Sequence, residues 1–215
     1  MSRPTQSFFP LIVLTLLAGC AAPAPTAPAD APSLQRRLRA GAVVSVSSSL
    51  SQGRVDVRLP IVEHVPSRLP LPVLGGRVFL QTSPDDTLVL HDLSVALGDA
   101  HLPPQRLPPS GLTITAVHVA LADPSALETE WLGDNELFAS ARADLLLDWS
   151  MILRDGSEHH LAQERLEGAR IDVHAFLDAD GDVVTTTDVM LEDVHHWAGL
   201  VTLSDLSLEL DASER

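Results

Sequence analysis

An antiparallel β-sandwich or strongly curved sheet with one short helix is the fold that residues 34–215 predict. Three observations carry that expectation. Apolar side chains recur mostly with period two rather than 3.6, which puts them on one face of a strand. Asp-Gly turns separate several of the alternating runs. Two ten-residue segments far apart in the chain share both sequence and an irregularity.

Taken in order, "VVSVSSSL" (43–50) and "RVDVRLPI" (54–61) alternate in short runs. "HVPSRLPLPVLGG" (64–76) and "HLPPQRLPP" (101–109) are rich in proline, which cannot donate to a ladder, so they read as loops or edge segments. "GLTITAVHVAL" (111–121) alternates between β-branched and smaller residues. In "DPSALETEWL", Asp123 reads as a helix N-cap and Pro124 as a first-turn residue. That pattern predicts a short helix over 124–132, ended near Gly133.

The longest stripe follows. Ala139, Ala141, Ala143, Leu145, Leu147, Trp149, Met151 and Leu153 share one parity, with Ser140, Arg142, Asp144, Asp148 and Arg154 opposite. "RDGS" (154–157) then turns the chain. "RIDVHAFL" and "VVTTTDVMLEDV" flank "DADGD" (178–182), a second hairpin with Gly181 in a left-handed conformation.

The repeat joins "LVLHDLSVAL" (88–97) to "VTLSDLSLEL" (201–210), with five identities in ten and no gap. Leu88 and Leu90 have one parity and Leu93, Val95 and Leu97 the other; Val201 and Leu203, then Leu206, Leu208 and Leu210, make the same slip. A slip of one residue turns side chains to the other face unless a bulge absorbs it. "RVDV" and "RIDV" lie upstream at similar distances, so two related β units are expected, about 40–122 and 139–215.

Ahead of this domain, Phe8 to Ala18 is an apolar run of eleven residues. A spanning helix needs about twenty, so this is the length of a signal-peptide core. Leu17-Ala18-Gly19-Cys20 closes it and holds the chain's one cysteine. This motif resembles the lipobox of bacterial lipoproteins. The resemblance implies a signal peptide over 1–19, cut before Cys20, and a lipid anchor of diacylglyceryl and palmitate-type acyl chains on that residue. With Ala21 rather than Asp next to the cysteine, it also implies the periplasmic face of the cell outer membrane. One acyl chain binds a membrane reversibly at about 0.8 kcal/mol per buried methylene, and several on one cysteine hold it firmly. Residues 20–33 then form a Pro/Ala tether, extended at about 3 Å per residue. "LQRRLR" after it reads as a solvated domain edge or a contact for anionic head groups.

Charge is uneven. Residues 20–122 hold eight Arg against seven acids, and residues 123–215 hold five Arg against twenty-two. A net charge of −15 excludes nucleic acid as a partner, because phosphates demand a basic face. No Gly-x-Ser-x-Gly and no glycine-rich phosphate loop appears, so no catalytic residue and no cofactor is assigned. Metal candidates are His159, His160, His195 and His196, with Asp178, Asp180 and Asp182. Imidazole with carboxylate suits zinc or copper. The three aspartates resemble the start of an EF-hand loop, but that loop needs glycine sixth and an acid twelfth, where this chain has Val183 and Val189. The paired histidines could converge only if their strands are neighbours.

The expected function is that of a non-enzymatic, lipid-anchored periplasmic protein binding or organising envelope components. One alternative is a carrier of lipid or another apolar ligand on the curved sheet. In that case Leu145, Leu147, Trp149 and Met151 line a groove rather than fill a core. The other is a metal-binding protein. Membrane, envelope protein and lipid are the expected partners.

Overall fold

The alternation becomes twelve strands in a computed structural model of the chain, which describes residues 33–58, 67–102, 112–153, 155–192, 196–198 and 201–214. The order is α1 (Leu34–Ala40), β1 (Ala42–Val46), β2 (Gln52–Arg58), β3 (Ser67–Thr82), β4 (Leu88–Leu97), β5 (Ala100–Leu102) and β6 (Leu112–Leu121). There follow β7 (Ser125–Gly133), β8 (Glu136–Ile152), β9 (Glu158–Leu177), β10 (Val183–Leu191), β11 (His196–Ala198) and β12 (Val201–Ser213). The signal segment, Cys20 and nearly all of the tether lie outside the described residues.

All pairings are antiparallel, and they close on themselves. From β3 the ladder runs to β4, β6, β8, β9, β10, β12 and β2, and β2 pairs with β3 again. Two short strands complete the wall: β1 lies between β3 and β12, and β7 between β4 and β8. The strongly curved sheet of the sequence reading is therefore a closed, barrel-like one. Closure matters physically because a barrel leaves few strand edges unpaired.

The alternating residues fill its inside. Val44, Val57, Val78, Leu90, Val95, Val119, Leu145, Ile171, Val189 and Leu208 belong to one buried cluster to which every wall strand contributes. Arg142, Arg165, Arg170 and Glu209 face outward. Charges outside and hydrocarbon inside is the reverse of a barrel that faces lipid. Among the described residues no helix is long and apolar enough to cross a membrane.

The parity slips are bulges. Leu80 opposes Leu90 and Phe79 opposes Asp92, leaving His91 as the extra residue of β4. Leu203 opposes Val57 and Asp205 opposes Asp56, leaving Ser204 as the extra residue of β12. His91 and Ser204 occupy the same place in the two repeated segments. After the first bulge Arg77 binds Asp92; at the second, Arg68 donates to Asp56, the residue opposite Asp205, at 3.1 Å. "RVDV" in β2 is separated from the repeated segment in β4 by β3, and "RIDV" in β9 is separated from the repeated segment in β12 by β10.

Both expected hairpins form, with Gly156 at φ 80° and Gly181 at φ 84°. The proline-rich stretch 67–72 is strand, but an edge one: Pro70 and Pro72 pair with β2, and the ladder to β4 begins only at Val73.

The short helix is not where the sequence pattern put it. Residues 125–133 are strand β7, paired with β8 from Glu128–Ser140 to Gly133–Glu136. Asp123 does not cap a helix but accepts from Arg165 at 2.8 Å. A nearby strand with free backbone groups outweighed a local capping signal, since β-branched and aromatic Thr129 and Trp131 suit a pleated ladder. The helix that does form is α1, the "LQRRLRA" segment. Ser33 caps it, accepting from Arg36 N at 3.3 Å, and Leu34 and Leu38, one turn apart, are buried. Two of its three arginines form ion pairs within the domain, Arg37 with Glu214 and Arg39 with Asp86 at 2.7 Å.

Candidate functional site

The stripe of β8 decides what the inside of the barrel can do. Leu145, Leu147, Trp149 and Met151 are all buried, with Leu147 at 3 % and Trp149 at 1 % exposure. Bulges on both neighbouring strands bracket Trp149. Ala116 and Val117 of β6 fall between the partners of Ser150 and Asp148, with Ala116 at φ 52°. On the other side, Ala162 and Gln163 of β9 fall between the partners of Trp149 and Leu147. The first bulge lies opposite Trp149 and the second opposite Asp148, and each sharpens the local twist. Val55, Leu71, Ile114, Val117, Leu166, Leu191 and Leu206 surround Trp149, with Asp205 as the one charged neighbour. The space left among them is about 20 Å³. That holds a single water, far less than an acyl chain. Trp149 Nε1 is buried there without a hydrogen-bond partner, as are the hydroxyls of Thr185 and Thr187 on β10.

The outer face around the same bulges carries the histidines. His160 Nδ1 lies 3.2 Å from Ser150 Oγ, and its Nε2 lies 3.6 Å from Asp148 Oδ1. His118, across the ladder from Asp148, lies 3.0 Å from Ser94 Oγ. The residue types match a nucleophile, a base and an orienting acid, but the geometry does not assemble them for attack. Ser150 is 3 % exposed, and the acid is beyond hydrogen-bond distance of the ring. What the arrangement does is tie β9 to β8 through His160 and β6 to β4 through His118.

His159 is exposed beside His160. His195 lies outside the described residues, and of His196 only the backbone, in β11, is described. β11 pairs with β12 and β9 pairs with β8 and β10, so the two histidine pairs are not on neighbouring strands. Asp178 spends its Oδ1 on the β9–β10 turn, accepting from Asp180 N at 2.9 Å and Asp182 N at 3.0 Å. Asp182 lies 4.0 Å from Arg37. Among the described residues no three His, Cys, Asp or Glu side chains are arranged to hold a metal ion.

Sequence reasoning missed an acidic row. Asp172, Asp188 and Glu209 stand directly opposite one another on β9, β10 and β12, with Asp211 beside them. The alternation of β9 and β10 contained this signal, but only the register aligns the three. Arg170 binds Asp172 at 2.8 Å and Gln52 donates to Glu209. Burial first, then Glu209, Asp172 and Asp211, push the Asp188 carboxyl above the ordinary carboxylate range. A raised folded-state pKa means that the ionised form destabilises the fold, and that stability returns as pH falls through that pKa. Asp188→Asn is therefore expected to raise the melting temperature at about pH 7, with the gain shrinking toward about pH 4. An unchanged or lowered melting temperature at neutral pH would contradict the repulsion.

The β7–β8 hairpin is the main apolar feature of the outside. Trp131, Leu132 and Phe138 are exposed on it. Beside it, Gly133, Asp134, Asn135 and Glu136 form an open groove with His174 and Phe176. His174 is bonded to Glu136 at 2.8 Å, and its ring lies 5.6 Å from that of Phe176. No protein-family model matches the chain, and no curated protein matches it.

Proposed function

We propose that the chain is a lipid-anchored, non-enzymatic protein of the cell envelope, placed on the periplasmic face of the outer membrane, where it binds or organises envelope components through the outside of its barrel. One observation carries this reading: the β8 stripe is buried, and the cavity that Leu147 and Trp149 line with their described neighbours measures about 20 Å³, while Trp131, Leu132 and Phe138 remain outside. A filled inside leaves the surface as the part that meets partners. The lipobox-like Leu17-Ala18-Gly19-Cys20 and the Pro/Ala tether after it support the anchored half.

Metabolic labelling with palmitate tests the anchor. The wild type is expected to incorporate label, whereas Cys20→Ser incorporates none and accumulates as uncut precursor. Label on the Cys20→Ser protein would overturn the anchored reading.

A second reading, a carrier of an apolar ligand, has its own observation. The small cavity is lined by hydrocarbon from β2, β3, β6, β8, β9, β10 and β12, and Trp149 Nε1 at its wall has no hydrogen-bond partner among the described residues. For a ligand to enter, Leu147 and Trp149 would have to give way.

A further inference from the structure

The β7–β8 hairpin leaves one strand edge bare. Ser125, Ala126 and Leu127 pair with β4, but Glu128 to Gly133 are bridged by β8 alone among the described residues. A strand held on one side presents a row of backbone N–H and C=O groups to any strand that can add to it. Every residue from Glu128 to Gly133 is exposed. So are three large apolar side chains: Trp131 at 43 %, Leu132 at 55 % and Phe138, across the ladder from Glu130, at 38 %. The charge there has one sign. Residues 125–140 hold Glu128, Glu130, Asp134 and Glu136 and no Arg or Lys. The imidazole beside them, His174, is bonded to Glu136.

We infer that this edge of β7 receives an extended, Arg- or Lys-bearing segment of a partner protein by strand addition. Other occupants fit it less well. A second copy would bring its own Glu128, Glu130, Asp134 and Glu136, with no Arg or Lys in the hairpin, against the same carboxylates, and like-charge juxtaposition is costly. The chain's own tether has Pro23, Pro25, Pro28 and Pro32, which cannot donate to a ladder. An anionic membrane surface would meet four carboxylates. The nearby basic helix is engaged, with Arg37 on Glu214 and Arg39 on Asp86. A cationic strand of alternating pattern supplies backbone bonds to the edge, opposite charge on the face of Glu128 and Glu130, and apolar contact on the face of Trp131. The inference rests on the outward-acting reading above and names the kind of partner that reading requires.

The test uses the mature full-length protein and a fluorescent octapeptide of alternating Lys and Val, read by anisotropy. Saturable binding is expected. It should weaken at least about tenfold for the alternating Glu–Val peptide, for the Lys–Val peptide N-methylated at alternate residues, and for the Glu128→Gln/Glu130→Gln protein. The double variant should keep the wild-type melting curve, so that lost binding is not lost folding. N-methylation matters most, because a merely electrostatic contact would survive it. Equal binding of the methylated peptide, unchanged binding to the double variant, or no saturable binding would each overturn the edge assignment. None of these outcomes would show lipid inside the barrel, so the outward-acting reading fails separately, on bound lipid.

Discussion

Trp149→Ala is expected to destabilise the domain by about 3–5 kcal/mol, as truncation of a buried aromatic does. Trp149 is the largest fully buried side chain of the core. β8 is held between the ladders of β6 and β9, so the surrounding wall can relax only partly over the space that the indole leaves. The new void would join the existing one of about 20 Å³ among Val117, Leu147 and Leu166. Its Nε1 has no hydrogen-bond partner among the described residues, so the expected loss is one of packing. Leu147→Ala, at the same wall, should cost about 2–5 kcal/mol. Urea unfolding of both variants checks this. A cost below about 1 kcal/mol for either would mean that the stripe lines an open groove, where a truncated side chain has few neighbours to lose.

Gly76→Ala is the second large effect, expected at about 1–3 kcal/mol or more from overpacking. Gly76 lies where β3 pairs with both β1 and β4. A Cβ there would press on the Ser94 carbonyl oxygen and come within 3.0 Å of Val95 Cα. Both are backbone atoms, which cannot swing aside as a side-chain end can. Gly133 supplies the control. A Cβ at Gly133 meets nothing within 4 Å, so Gly133→Ala should be neutral or stabilise by about 0.4–1 kcal/mol through the unfolded chain. Equal melting temperatures for the two variants would contradict the close approach of β3 and β4.

Much of this fold was legible because a strand records its burial in its own sequence. The stripe from Ala139 to Met151 needed only parity, and the slip at His91 and Ser204 announced bulges before any partner was known. Glycine after aspartate placed both turns. Closure was not legible, since it rests on β12 pairing with β2 and β1, which joins the last strand to the first two with no local signal. The helix was misplaced for a related reason. Asp123 and Pro124 form a sound local start signal, but β8 offered a ladder that the local sequence does not reveal. The true helix did carry a signal, Ser33 before Leu34 and Leu38 one turn apart, in a segment short enough to pass for a linker.

Candidate sites were less legible than strands, because sites depend on register. Asp172, Asp188 and Glu209 are far apart in sequence and meet only through two ladders. His160 finds Ser150 and Asp148 only because the β8–β9 hairpin brings its strand back beside theirs. Conversely, the aspartates of "DADGD" looked like ligands by spacing, and Asp178 is occupied with holding its own turn. The bare edge of β7 was hidden by the reading of that segment as helix.

The central claim is a filled barrel that works through its outside, and native mass spectrometry of the mature full-length protein tests it most directly. The account predicts the mass of the polypeptide with its covalent anchor and no further lipid. One non-covalently held lipid per chain, retained by the folded protein and released on unfolding, would contradict it.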